Sequence, residues 1–203
     1  MFYNNNLVVI ISSPSGAGKT TVTKKLLQKI NRSYLSISCT TRQPRKNEKN
    51  GVDYFFLKKS EFLDLKKNKK FLETAKVFDH FYGTLKSEFY KKKNKKIIFL
   101  DVDWQGARNI RKNISQNCFS FFLLPPSISE LKRRLLKRHK DNKSIAIKRL
   151  SSAKKDIKHW DEYDYVFVNK DLNKCIASII KKIQILLDEN KEKIKIKKII
   201  EKF

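Results

Sequence analysis

The residues with the clearest chemistry are Ser13-Pro14-Ser15-Gly16-Ala17-Gly18-Lys19-Thr20. They follow the pattern G-x-x-x-x-G-K-[ST] except that Ser13 stands in place of the first glycine, and such a loop cradles phosphate. Glycines let consecutive backbone N–H groups turn toward an anion, and the helix that follows adds the positive end of its dipole. Lys19 is expected to reach the β- and γ-phosphates of ATP, and the Thr20 hydroxyl to ligate Mg2+. The donors nearest phosphate come from Ser15 onward, so a small serine at 13 is compatible with the task. The plain alternative is a glycine-rich turn that only caps a helix. The order of apolar strand, Gly-x-Gly-Lys-Thr and helix argues against it.

Elements must hold that loop in place. Residues 7–11 are an unbroken apolar run and predict a strand buried on both faces. Residues 20–30 have helical spacing, and 34–38 alternate like a strand. Further strands are expected at 96–102, 118–124 and 165–168, and helices at 105–112, 128–138, 144–158 and 172–188. This alternation predicts an α/β fold, a P-loop NTPase-type mostly parallel sheet flanked by helices. Asp101 and Asp103 then sit at the carboxyl end of a strand, the edge that faces the ligand crevice in such a sheet. There a carboxylate can hold Mg2+ directly or through water, or orient arginines and the acceptor. Asp101 is assigned to the metal and Asp103 to the acceptor, although Asp103 could equally cap the next helix. Residues 40–90 read differently: a basic polar loop (41–51), then short aromatic strands at 54–57 and 71–77 with a helix between.

A phosphate loop does not name its acceptor; the inserted segment does. Ser38-Cys39-Thr40-Thr41-Arg42-Gln43-Pro44-Arg45 is followed by Glu48, Gly51-Val52-Asp53-Tyr54-Phe55-Phe56, Glu73, Ala75, Tyr82-Gly83-Thr84 and Asp101-Val102-Asp103-Trp104-Gln105-Gly106. Together and in this order, from Val8 to about Leu172, these motifs resemble the guanylate kinase family. The resemblance implies an ATP:GMP phosphotransferase with an α+β GMP-binding subdomain and a short helical lid. It implies that Arg42, Arg45, Tyr54 and Tyr82 hold the GMP phosphate. It gives Glu73 the N1–H and N2–H2 donors of guanine, which adenine lacks, and Ser38 and Thr84 the neighbourhood of O6. Arg134, Arg138 and Arg149 resemble the lid arginines that close over ATP, and Asn169 resembles the residue beside adenine. Arginine forks suit phosphate oxygens, and charge neutralisation is most of what phosphoryl transfer needs. Departures are Thr84 for a usual serine, Lys137 and His139 flanking Arg138 where glycines are common, and Lys170 for a usual aspartate. The implied organisation is a kinase domain over 4–188 (core 4–39 and 91–188, insertion about 40–90, lid about 134–150) and a Lys-rich helical extension over 189–203.

The net charge of +27 invites a nucleic-acid reading, but it comes from lysine scattered along the chain. Arginine supplies only nine of the 47 basic residues, and five of those nine fall where the family places arginines on phosphates. Lysine with abundant Asn and Ile is the signature of biased residue usage, and no specific nucleic-acid partner is expected. Cys39, Cys118 and Cys175 form neither a disulfide framework nor a zinc site, which favours a reducing compartment. With no signal-peptide pattern and no apolar run long enough to span a bilayer, a cytoplasmic, membrane-free protein is expected. A non-catalytic scaffold built on the same fold would tend to lose Lys19 and Thr20, which this chain keeps. Oligomeric state stays open between monomer and homo-oligomer.

Overall fold

The computed structural model describes residues 6–91, 96–114, 117–138 and 142–200. In chain order they form β1 (Leu7–Ser12), α1 (Lys19–Lys29), β2 (Ser33–Ser36), β3 (Ser38–Thr40), β4 (Phe55–Phe56), α2 (Lys59–Lys67), β5 (Phe71–Val77), β6 (His80–Leu85) and α3 (Lys86–Tyr90). Then come β7 (Ile97–Asp101), α4 (Trp104–Asn113), β8 (Cys118–Leu124), α5 (Ile128–Arg138), α6 (Lys143–Ile157), a 3-10 turn at Trp160–Glu162, β9 (Tyr165–Val168) and α7 (Leu172–Ile200).

Five strands make a parallel sheet in the order β2-β7-β1-β8-β9. Successive residues of β1 point to opposite faces. Leu7, Val9 and Ile11 pack with Val22 and Leu26 of α1 and with Ile176 and Ile179 of α7. Val8 and Ile10 pack with Ala107 and Ile110 of α4. Both faces are therefore covered, as the unbroken apolar run at 7–11 requires. The carboxyl ends of β1 and β7 open toward the phosphate loop and the two aspartates.

The inserted segment and Ser38–Thr40 form a second sheet in the order β4-β3-β6-β5. Its small core stacks Phe62 of α2 between Phe71 and Phe81, with ring centroids 4.5 and 5.5 Å away, against buried Cys39. Helices α5 and α6 pack through Leu131, Leu135, Ala146 and Ala153. Of the polar break expected at 139–143, His139 and residues 140–141 lie outside the described residues.

Two expectations are corrected. The strand at 34–38 is two strands: β2 ends at Ser36 in the first sheet, and Ser38 begins β3 in the second. Alternation is continuous across Ile37, so periodicity cannot reveal a change of sheet. The second sheet thus begins at Ser38, not at 40. Strand β6 and helix α3 were not foreseen. The β5–β6 turn is Phe78-Asp79 with Phe78 in the left-handed region at φ 52°, and it carries none of the Gly or Asn that signal a tight hairpin. Helix α7 runs unbroken past 188 to Ile200, in keeping with the helical extension expected over 189–203; residues 201–203 lie outside the described residues.

Candidate active site

The phosphate loop is built around two left-handed glycines, Gly16 at φ +93° and Gly18 at φ +101°, where a side chain is strained. Gly18 is also closely covered, because a Cβ there would stand 2.6 Å from Asn169 Nδ2. That amide donates to Ala17 O at 2.8 Å, and Arg134 Nη1 donates to the same carbonyl at 3.2 Å. Asn169, expected beside adenine, therefore braces the loop from behind. Arg134 does the same from α5, with its Nε on Glu130 at 2.9 Å. Lys19 Nζ lies 2.5 Å from Asp101 Oδ1 and donates to Val102 O at 2.9 Å, tying the loop to the end of β7. Thr20 is exposed at the mouth of the cleft.

Across the cleft, pairing in the second sheet places Ser38, Thr84 and Glu73 in one row over three adjacent strands, since Thr84 is opposite both Ser38 and Glu73. Glu73 is 5% exposed and accepts the Thr84 hydroxyl at 2.8 Å. Burial, with the charge of Asp103 added, pushes its carboxyl up to about 7 despite the Thr84 bonds. Asp103 caps α4 by accepting Gly106 N–H at 2.9 Å and also lines the cleft, so both of its expected roles are geometrically open. Burial raises its pKa as well.

Arg42 and Arg45 share one carboxylate. Arg42 Nη2 lies 2.8 Å from Glu48 Oε2, and the Arg45 backbone N–H donates to Glu48 at 2.9 Å. Burial alone would lower Arg42, but its bonds to Glu48 outweigh that and hold it above its ordinary value. The Arg42 guanidinium also sits 5.5 Å over the Tyr54 ring, which meets Tyr82 edge-on at 6.1 Å. Helix α6 bridges the two sides of the cleft. Arg149 Nη1 donates to Ser15 Oγ at 3.3 Å while its guanidinium lies 5.3 Å over Phe78 of the β5–β6 turn. Burial, and then mutual repulsion, lowers Arg45, Arg138 and Arg149. Cations that depress one another around a shared space form a site for an anion.

These groups line one cleft of about 810 Å³. Of the residues expected from sequence, Ser13, Pro14, Ser15, Gly16, Gly18, Lys19, Thr20, Ser38, Arg42, Arg45, Tyr54, Glu73, Tyr82, Asp101, Asp103, Arg134, Arg138 and Arg149 reach it. Ala17, Thr84 and Asn169 stand behind its wall and act through the loop or through Glu73. Three residues given no role from sequence now have one. Glu48 organises the arginine pair. Gly106 leaves room for Glu73, since a Cβ there would fall 2.9 Å from Oε2. Asp156 lines the cleft two helical turns after Arg149 on the same face of α6, a spacing that could have flagged it. Burial and the nearby charge of Asp103 raise its pKa to about 6.

Among the described residues no group of three or more His, Cys, Asp or Glu could hold a metal. The oxygen donors present, Thr20 and Asp101, fit Mg2+ held mostly by nucleotide phosphates and water. No helix among the described residues is long and apolar enough to cross a membrane.

Comparison with known proteins accords with this geometry. The family described as guanylate kinase matches residues 5–187. A guanylate kinase of Rickettsia bellii is 43% identical over 194 residues, covering 95% of this chain and all of that protein. One from Rickettsia prowazekii is 45% identical over 181 residues, covering 88% of this chain and 90% of its own. The crystal structure of guanylate kinase from Anaplasma phagocytophilum superposes with a TM-score of 0.75 at 33% identity, over 90% of this chain and 87% of that one.

Proposed function

The chain belongs to the guanylate kinase family and is an ATP:GMP phosphotransferase, and from that premise we propose how its residues divide the work. ATP lies along the 13–20 loop with its γ-phosphoryl toward the arginines, and GMP lies on the second sheet. Glu73, ionised, accepts the N1–H and N2–H2 donors of guanine, with Ser38 and Thr84 nearby. Arg42, Arg45, Tyr54 and Tyr82 hold the GMP phosphate. An oxygen of that phosphate attacks the γ-phosphorus as the bond to the β–γ bridging oxygen breaks, giving GDP and ADP. The acceptor is already an anion, so no general base is required. Lys19 exchanges Asp101 and Val102 O for phosphate oxygens, and Arg138 and Arg149 neutralise the equatorial charge that builds up in transfer. Mg2+, when bound beside Thr20 and Asp101, supplies charge neutralisation and orientation to the triphosphate.

The observation that carries this division is the buried Glu73 carboxylate sharing one cleft with the phosphate loop and with Arg42, Arg45, Arg138 and Arg149. A cytoplasmic workplace is supported by three free thiols, since a reducing compartment keeps thiols unpaired. ADP release with GMP, AMP, UMP and dTMP, with and without Mg2+, tests the scheme. GMP is expected to be used far better than the others, and activity to vanish when the metal is chelated. Lys19→Ala is expected to lower turnover by about three orders of magnitude, in the range seen when a pre-organised charge donor is deleted. Equal use of AMP and GMP, or normal turnover in Lys19→Ala, would refute the assignments.

A further inference from the structure

Strand β5 is the edge of the acceptor sheet and carries Glu73. An edge strand presents unpaired carbonyls on its outer side. Here helix α4 of the core covers that edge with three side-chain amides. Gln105 Nε2 donates to Lys76 O at 3.2 Å, Asn109 Nδ2 to Thr74 O at 3.3 Å and Asn113 Nδ2 to Leu72 O at 3.1 Å. The donors are spaced four residues apart and the acceptors two. Four helical residues rise about 6 Å and two strand residues about 6.7 Å, so the two periods stay in step over two turns. The α4 helix is itself fixed to the parallel sheet by buried Ala107 and Ile110, with Ile114 just beyond its end.

Glu73 falls between the two carbonyls held by Asn109 and Asn113. Gly106, one residue after the first rung, is the position on α4 that would collide with its carboxylate if it carried a side chain. By contrast, the arginines assigned to the GMP phosphate leave from the loop between β3 and β4 and are organised by Glu48. The base end and the phosphate end of the acceptor pocket therefore have separate supports.

We propose that Asn109 and Asn113 are positioning residues for guanine selection, holding β5 at a fixed depth on α4 so that the Glu73 carboxylate meets the base edge. This rests on the reading that Glu73 receives guanine. The consequence is specific: loosening a rung weakens base recognition and leaves the ATP side intact. Even a misplacement of about 1 Å is costly to a pre-organised contact.

The test uses the full chain with Asn109→Leu and the equal-sized Asn109→Asp, beside Glu73→Gln. KM values for GMP and ATP are measured, together with the kcat/KM ratio of GMP to IMP, whose base lacks the N2 amino group. Each Asn109 variant is expected to raise the GMP KM about 10-fold with the ATP KM within about twofold, and to shrink the GMP/IMP ratio severalfold, as loss of a well-placed contact does. Asn113→Leu, at the far rung, gives the same pattern more weakly. The proposal is overturned if folded Asn109 variants keep the wild-type GMP KM and GMP/IMP ratio, or if both KM values rise alike. If Glu73→Gln keeps the wild-type GMP/IMP ratio, the carboxylate does not read the base, and the proposal falls with the reading beneath it. A lowered ratio in Glu73→Gln with unaltered Asn109 variants rejects the amide rungs alone.

Discussion

Glu73 should be a liability to the fold and an asset to the reaction, and one substitution separates the two. Its carboxyl is pushed from an ordinary 4.5 to about 7, chiefly by burial. A folded-state pKa above the unfolded one means that the buried acid is tolerated while protonated and penalised once ionised. Each pH unit of difference corresponds to about 1.36 kcal/mol, so the ionised group costs the folded chain about 3 kcal/mol at pH 8. That cost accumulates as pH rises from 4.5 to about 7 and is flat above. Glu73→Gln keeps the size and an oxygen for the Thr84 hydroxyl but cannot ionise. Relative to wild type it should gain about 3 kcal/mol at pH 8 and under about 1 kcal/mol at pH 5. For a domain of this length, each kcal/mol moves Tm by about 2–4 °C, so the variant should melt about 6–12 °C above wild type at pH 8 and within about 4 °C of it at pH 5. The same variant should lose about 10–100-fold in kcat/KM for GMP, because a bond to a charged acceptor is worth about 1.5–3 kcal/mol. Wild-type kcat/KM for GMP should correspondingly fall as pH drops below about 7, where Glu73 gains a proton and stops accepting from both guanine donors. Thermal melts of both proteins at the two pH values decide the matter. A Tm gain no larger at pH 8 than at pH 5 would show that Glu73 is not a destabilising buried charge.

Two other perturbations bear on the cleft. Gly18→Ala forces a side chain into φ +101° and against the Asn169 amide at 2.6 Å. Strain of this kind costs about 1–3 kcal/mol, so a Tm several degrees lower and an ATP KM at least about 10-fold higher are expected from melting and steady-state kinetics. Wild-type values would remove Asn169 from the support of the loop. Glu48→Gln releases Arg42 and Arg45 from their shared carboxylate, and the GMP KM should rise about 5–10-fold, as when a hydrogen bond to a charged group is lost. A lower KM would instead mark Glu48 as an anion competing with the GMP phosphate.

Most of the fold was legible because its strands obey simple rules. The runs at 7–11 and 118–124 are apolar on both faces, as a covered parallel strand must be, and the phosphate loop carries its chemistry in contiguous residues. The second sheet was harder. Its strands are short, β6 carries His80, Tyr82 and Thr84 between its apolar positions, and its partner strands are remote in sequence. The phosphate loop could be read from its own pattern and most other candidate side chains of the cleft from the resemblance, whereas Glu48, Asn109 and Asn113 could not. Glu48 looks like any loop carboxylate until two arginines converge on it. Asn109 and Asn113 look like solvated helix residues, and only a strand from another part of the chain gives their spacing a meaning. For Asn169 the resemblance gives a place beside adenine, and the structure adds a support that no pattern announces, its amide nitrogen donating to Ala17 O.

The passage from β2 to β3 bears on how such an enzyme could be rebuilt. With Ile37 alone between the two strands, the acceptor module is not an appendage hung on a flexible tether. A chimera that exchanged residues 40–90 for a module with another base preference would leave β3 behind and strip the incoming sheet of its second strand. A graft with cut points at Ile37 and just beyond Tyr90 transfers the whole sheet, but it must also bring the matching face of α4, since that helix is where the host grips its guest.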